Sequence, residues 1–530
     1  MAIEQDKSNQ DSADIRPSGL LRAASSVGSW TMLSRMLGFV RDILLARILG
    51  AGMLADAFFV AFKLPNFFRR MFAEGTLTVA LVPVLSDERE KGEAAAHTFL
   101  NALATLLLIV LTLFTLLGML LMPWLLYIFA PGFADEPDRW AIALELARWM
   151  FPYLAMISLA AMAWAVLNTY KRFAVPAASP ALLNIAIIFA AVVLAPVFEN
   201  PAIALAVGVL IGGALQLAIQ FPALKRIGWI PRISFDFRQS AIRETLHLFG
   251  PALLAIAAVQ INILIGTILA TLLETGAVSY LYYADRIVQL PLALFGIAMS
   301  TALLPTLSGH LSRNDRTAAA DDLRSGLAWL TWITLPAVVG AFYLAEPIVI
   351  TLFERGAFSH ADSMATAQTL KAYAVGLIAF CWIKLLASAC YAQKDARAPM
   401  RYAAISVAVN IVLAVLLMQF WAYVGLALAT SLAAFVNVAL LYLRLTKTYG
   451  SLLTSDIVKR LTTAAIASVI MLFYLFGLES QWPFPVDGLM QGLWICGTIV
   501  GAVVVFFVSA LILGERALIL KFLRRNRHAA

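Results

Sequence analysis

The feature that most constrains this chain is a set of long apolar runs without a single charge. Ala102 to Ala130 is one and Gly488 to Gly514 is another. Each exceeds the roughly 20 residues that carry an α-helix across a bilayer. Inside hydrocarbon every backbone N–H and C=O needs a partner, so only helices and closed barrels span a membrane. Barrel strands are about 10 residues long and alternate apolar with polar; these runs do neither. Only 13% of the 530 residues are charged and 62% are hydrophobic, where soluble domains run at about 25% charged. The chain reads as an all-α polytopic membrane protein. A soluble enzyme, a disordered regulator and a secreted disulfide scaffold are excluded.

Hydropathy marks about 14 transmembrane spans, centred near Leu37, Phe67, Leu113, Ser158, Ile187, Gly212, Ala257, Gly296, Ile333, Leu377, Val409, Ser431, Ile470 and Val503. Alternate loops differ in charge. One set holds Lys171, Arg172, Lys225, Arg226, Arg232, Arg313, Arg316, Lys394, Arg397 and Lys459. The other holds Asp135, Glu136, Asp138, Arg139, Glu199, Glu274, Glu346, Glu354, Arg355, Asp362, Glu479 and Asp487. Positive loops stay in the cytoplasm, so the first set and both termini are expected there, which requires an even number of spans. The net charge of +8 then belongs to loops beside anionic lipid, with no nucleic acid implied. Residues 1–17 are polar and read as a disordered cytoplasmic tail; 519–530 form a basic one. Cys381, Cys390 and Cys496 lie far apart in apolar runs and read as packing residues. No metal-ligand cluster is expected.

The chain also repeats itself. Ala80-Leu-Val-Pro-Val-Leu-Ser86 matches Ala302-Leu-Leu-Pro-Thr-Leu-Ser308, and Tyr170-Lys-Arg-Phe-Ala-Val-Pro176 resembles Gln393-Lys-Asp-Ala-Arg-Ala-Pro399. The expected organisation is an N-lobe at 18–230 (spans 1–6), a C-lobe at 231–450 (spans 7–12) and two further helices at 451–518. Six spans per repeat give both lobes the same orientation, a plan that suits alternating access.

Charges in the apolar spans are costly, about 2.5–3.5 kcal/mol for a central Arg on insertion scales. The first span carries Arg35, Arg41, Asp42 and Arg47. Seven residues separate Ser34 from Arg41 and Arg35 from Asp42, so each pair shares a helix face. An Arg35–Asp42 ion pair is expected, leaving Arg41 available. The second span carries Asp56, Lys63, Arg69, Arg70 and Glu74, with Pro65 in its middle to kink it; Pro291 should act likewise in span 8, beside Asp285-Arg286. Lys384 lies in span 10. Snorkelling to an interface is the competing reading for Arg47, Arg69 and Arg70, and ion pairing within the protein for Asp285, Arg286 and Lys384. The excess is cationic. A cavity so lined wants an anion, and the planar fork of Arg suits phosphate. The residues alone reach a transporter of an anionic, phosphate-bearing substrate.

The run Ser34-Arg-Met-Leu-Gly-Phe-Val-Arg-Asp42, then Ala55-Asp-Ala-Phe-Phe-Val-Ala-Phe-Lys-Leu-Pro-Asn66, then Arg69-Arg-Met-Phe-Ala-Glu-Gly75, closely resembles the MurJ (MviN) lipid II flippases of the MOP exporter superfamily. Ala130-Pro-Gly-Phe133 and Tyr282-Tyr-Ala-Asp-Arg286 extend the likeness. It implies two pseudo-symmetric six-helix lobes in a V plus two C-terminal helices. It implies a flippase of the bacterial cytoplasmic (inner) membrane, not an enzyme. The substrate implied is lipid II, an undecaprenyl-pyrophosphate-linked disaccharide-pentapeptide moved to the periplasmic leaflet through a central cationic cavity. Cavity residues carried over are Ser34, Arg35, Arg41, Asp42, Asp56, Arg69 and Arg286. Candidates for cavity or gating roles are Lys63, Pro65, Asn66, Arg70, Glu74, Asp285, Gln289, Pro291 and Lys384. Some relatives have an acidic residue where Gln289 stands. No cofactor is implied; membrane potential or an ion gradient would drive transport, and no sodium site is expected. Membrane lipids and the cell-wall synthesis or division machinery are the candidate partners. Another exporter of the superfamily, for polysaccharide lipids or drugs, is the alternative.

Overall fold

A computed structural model describes residues 17–486 and 488–515, without the side chains of 17–26, 73–75, 254, 255, 258, 259, 261–263 and 456. Among the described residues every regular element is helical. The described residues pack as two compact units, one of residues up to 49 with 57–264, the other of 50–56 with the described residues from 265 on.

The first unit contains α1 (Pro17–Leu49), α2 (Met53–Arg69, all but its first turn), α3 (Thr78–Glu90), α4 (Glu93–Leu120), α5 (Met122–Phe129), α6 (Pro137–Met150), α7 (Tyr153–Thr169), α8 (Ala174–Phe189), α9 (Pro201–Ala218) and α10 (Gln220–Arg226). It also takes α11 (Ser240–Thr271) up to Leu264. Its core joins Leu81 and Leu85 of α3, Phe99 and Leu103 of α4 and Val166 of α7 to Trp229, Ala241 and Ile242. Packing divides the chain at 264/265, and Ala241 and Ile242 of α11 belong to the first unit's core. The start of α11 buries its apolar face in the first unit.

The second unit contains α12 (Ala277–Pro291), α13 (Ala298–Ser312), α14 (Arg316–Tyr343), α15 (Ala345–Phe353), α16 (His360–Ala392), α17 (Arg397–Tyr449), α18 (Ser455–Gln481) and α19 (Gly488–Ile512). The two helices outside the sequence repeat, α18 and α19, belong to this unit. Trp494, Phe506, Met471 and Leu475 pack with Trp332 of α14 in one apolar core.

Among the described residues, ten helical stretches are long and apolar enough to cross a membrane. They hold eleven of the centres expected from hydropathy. The other three centres, Leu37, Phe67 and Ala257, lie on α1, α2 and α11. Two expected centres, Val409 and Ser431, share α17, which breaks at Trp421 (φ −131°) and Ala422 (φ +44°). A Cβ on Gly425 would lie 2.3 Å from the Leu417 carbonyl oxygen. Residues eight apart in a continuous helix are about 12 Å apart, so the chain reverses here, and only glycine allows the approach.

The repeat is structural. α4 and α14 are both 28 residues long and start 223 residues apart, at Glu93 and Arg316. The helical stretches Pro137–Thr169 and His360–Ala392 are both 33 residues long at the same offset. Backbone irregularities repeat as well. Lys171 (φ +58°) and Lys394 (φ +60°) are both left-handed. In both units a proline precedes a π-helical turn: Pro65 before Arg70–Leu77, and Pro291 before Leu292–Ile297. The repeats differ in capping. α14 is capped by Asp315, whose Oδ1 accepts from Ala318 N and Thr317 Oγ1, and these bonds hold its carboxyl below the usual range. Gly92 stands at that point of the first repeat.

Gly276 precedes α12 at φ +100°, and a Cβ there would meet the Ala51 carbonyl oxygen at 2.6 Å. Gly276→Ala should therefore cost about 1–2 kcal/mol from the backbone conformation alone, and more from the clash. A lowered unfolding midpoint in detergent is expected; an unchanged midpoint would show that the turn relaxes freely.

Candidate functional site

The first cluster forms where α1 packs along α8. Ser34, Gly38 and Arg41 share one face of α1, spaced i, i+4 and i+7. Opposite them stands Asn184, a polar residue within the apolar run of α8. Its Nδ2 donates to the Ser34 carbonyl oxygen at 2.9 Å, and its Oδ1 accepts from Arg41 Nη1 at 2.9 Å. Both ends of the amide are engaged, which fixes its orientation. Arg41 turns its other edge to Asp42, with Nε and Nη2 donating to Oδ1 at 3.0 and 2.7 Å. Arg41 is 8% exposed and Asp42 1%.

This corrects the expected ion pair. Asp42 is held by Arg41, its neighbour in sequence, and Arg35 is exposed. Two turns of helix separate Arg35 from Asp42 by about 10 Å, whereas the adjacent guanidinium, anchored by Asn184, lies flat against the carboxylate. Arg47 is exposed too.

Asp56 takes a different place from the one expected of a cavity residue. It has no exposed surface. Its Oδ2 accepts from Gly276 N at 2.7 Å, and its Oδ1 from Ser279 N at 2.9 Å and Ser279 Oγ at 2.5 Å. These are orphan donors at the start of α12, where the helix dipole favours a negative charge. Asp56 is a cap supplied from elsewhere in the chain. Tyr283 Oη donates to the Gly50 carbonyl at 3.2 Å, which ties the 50–56 turn to the same helix.

On α2, Lys63 is half-buried and Pro65 buried. Proline has no N–H for the carbonyl one turn back. One residue on, Asn66 Nδ2 donates to the Phe62 carbonyl at 2.7 Å, and Asn66 Oδ1 accepts from Arg69 Nε at 3.1 Å. Arg69 is half-buried and aimed by Asn66; Arg70 is exposed. The Glu74 side chain lies outside the described residues.

On α12 Tyr282, Arg286 and Gln289 lie along one face, with Asp285 beside it. Arg286 Nη2 donates to Tyr282 Oη at 3.1 Å, its guanidinium lies 4.7 Å from the Tyr282 ring centroid, and Nη1 reaches Gln289 Oε1 at 3.4 Å. Gln289 Nε2 donates in turn to Asp285. Gln289 thus bridges the acid and the base one turn away. Pro291 ends the helix. Lys384 is exposed on α16, and only its carbonyl is engaged here, by Ser300 Oγ at 3.0 Å.

The structure therefore gathers Ser34, Arg41 and Asp42; Asn66 and Arg69; and Asp285, Arg286 and Gln289. Sequence reasoning missed Asn184, Tyr282 and Ser279. Asn184 had a signal, a lone amide amid Ala181-Leu-Leu and Ile-Ala-Ile. Ser279 had none, because nothing in the sequence pairs it with Asp56. What the gathered groups offer chemically is hydrogen-bonded, oriented guanidinium, which is suited to oxyanions.

A family model described as lipid II flippase MurJ matches residues 45–491. The chain belongs to the MurJ family. A probable lipid II flippase MurJ of Haemophilus influenzae is 37% identical over 503 residues, covering 92% of this chain and 98% of the relative. A lipid II flippase MurJ of Burkholderia cenocepacia is 36% identical over 434 residues, 81% of this chain and 84% of its own. Among solved structures, a lipid II flippase MurJ in an inward closed conformation matches with a TM-score of 0.79 at 27% identity, covering 93% of this chain and 99% of that one. An inward-facing MATE multidrug transporter of the MOP superfamily matches with a TM-score of 0.64 at 12% identity, over 80% of this chain and 98% of that one. That is a likeness of fold. Like other MurJ members, the chain is a multi-pass protein of the inner membrane.

Asn184→Ala removes one of Arg41's partners and should lower stability by about 1–3 kcal/mol. Arg35→Ala, at an exposed position, should stay within about 0.5 kcal/mol of wild type. Thermal unfolding of the purified protein in detergent measures both.

Proposed function

We propose that this chain flips lipid II from the cytoplasmic to the periplasmic leaflet by alternating access, with both termini in the cytoplasm. The observation that carries this reading is the match to the MurJ family over residues 45–491, which contains the last five residues of α1 and all of α2 to α18. The oriented arginines support it. Arg41 in the first unit and Arg286 in the second are both aimed by neutral partners, Asn184 and Tyr282. Guanidinium groups held in this way suit the oxygens of a pyrophosphate. The chain acts as a transporter and makes or breaks no covalent bond.

Membrane potential supplies a direction. Moving one charge through 100 mV is worth about 2.3 kcal/mol, so two phosphate charges leaving a negative interior gain roughly twice that. The protein's own arginines, if they stay fixed in the field, leave that gain intact. Flipping by reconstituted protein should accelerate when the inside is made negative; a rate indifferent to the potential would remove this driving force from the mechanism.

The deciding experiment measures lipid II at the outer leaflet of cells in which this protein is the only flippase. Wild type should expose lipid II. Arg41→Ala and Arg286→Ala at matched expression should lower exposure at least tenfold, and Arg41→Lys should fail as well, because an ammonium cannot reach Asp42 and Asn184 with a planar fork. A folded, inserted wild type that exposes no lipid II would rule out the substrate. Arginine variants that work as well as wild type would rule out the site.

A further inference from the structure

Helical hydroxyls in the first unit return a hydrogen bond to their own helix, to the carbonyl four residues back: Thr105 to Asn101, Thr169 to Ala165 and Thr245 to Ala241. That is the spacing an α-helix offers. Thr76 departs from it. It has no exposed surface, and its Oγ1 donates at 2.5 Å to the carbonyl of Met71, five residues back. Five is the spacing of a π-helical ladder, and Thr76 lies inside the π-helical turn Arg70–Leu77. The hydroxyl thus bonds a carbonyl that this register brings to it. Regularising or displacing the turn would break the bond.

Packing fixes both flanks of the turn. Phe58, Phe59 and Leu64 of α2 are buried, and Leu81 and Leu85 of α3 sit in the first unit's core. The extra residue is taken up between Leu64 and Leu81, and the Thr76 bond marks where. The place matters to Arg69. Its Nε bond to Asn66 Oδ1 uses the i, i+3 spacing of an α-helix, and Arg69 is the last residue before the turn. A turn one residue nearer α2 would take Arg69 into itself and part the pair. The second unit does without this device. Its π-helical turn, Leu-Ala-Leu-Phe-Gly-Ile, carries no hydroxyl. Gly296 seats that turn against α16 instead, where a Cβ would lie 3.1 Å from Cys381 Cα.

We propose that Thr76 is a positioning residue for transport. Its hydroxyl holds the π-helical turn clear of the Asn66–Arg69 pair and so keeps the Arg69 guanidinium aimed. Thr76 touches no substrate; it acts through Arg69. The proposal rests on the flippase reading above, with Arg69 among the groups that meet the anion.

Two substitutions separate shape from chemistry. Thr76→Val keeps the branched shape and removes the donor; Thr76→Ser keeps the donor. Hydrogen exchange of the full-length protein in detergent reads the turn itself. Amides of 70–77 should exchange about tenfold faster in Thr76→Val than in wild type, those of 292–297 should not change, and Thr76→Ser should return close to wild type. Lipid II at the outer leaflet of cells reads the consequence. At matched expression Thr76→Val should lower exposure about threefold or more, and Thr76→Ser should restore it. In an Arg69→Lys background Thr76→Val should cost nothing further, because two residues that act as one do not add. Unchanged exchange in Thr76→Val would overturn the proposal. So would faster exchange with wild-type exposure, the same fold loss in both backgrounds, or faster exchange spread through α3 and α4, which would mark a general fold defect. If wild type itself exposes no lipid II, the flippase reading falls and the role in transport with it, while the exchange comparison still decides whether Thr76 holds the turn.

Discussion

A carboxylate with no solvent around it holds the start of α12. A buried carboxyl group is costly unless it is hydrogen-bonded, and Asp56 meets three donors: the Gly276 and Ser279 backbone N–H groups, which the start of the helix leaves unpaired, and Ser279 Oγ. Much of the second unit's polar chemistry follows from this contact. Tyr282, Asp285, Arg286 and Gln289 all lie on α12, so the position of the guanidinium is set a few turns away by a cap that no small ligand supplies. The left-handed Gly276 is part of the same constraint, since any side chain there would push the 50–56 turn away from the helix it caps.

The arginine of the first repeat is held by a different device. Arg41 has a carboxylate on one edge and an amide on the other. The amide costs less to bury than a second charge and still fixes the fork. Tyr282 plays the neutral part beside Arg286, through its hydroxyl and its ring. An unsupported arginine would not stay in an apolar span, and in both repeats neutral groups share in supporting it.

Much of this was legible in the sequence and some was not, for identifiable reasons. Span positions follow from charge-free length, and the hairpin within α17 was visible as two hydropathy centres although the helix runs on almost without a gap. The repeat was visible because Ala80–Ser86 and Ala302–Ser308 kept their residues; the matched helix lengths of α4 and α14 were not, since their sequences have diverged. Long-range partners were the main loss. Asp56 read as one more charge in a span, because its donors lie more than 200 residues away and two of them are backbone N–H groups. The Arg35–Asp42 pair came from face-sharing on an ideal helix, a rule that takes no account of how a long side chain can fold onto its neighbour once a third residue anchors it.

The π-helical turns that follow Pro65 and Pro291 carry one residue more than an α-helical turn would. An inserted residue of this kind is a dislocation in the hydrogen-bond ladder, and a dislocation can glide. Each residue it passes would turn by about 100° and advance by about 1.5 Å while the rest of the ladder stays closed. The same dislocation stands at corresponding points of both repeats, so either helix could present a new face without melting at its ends.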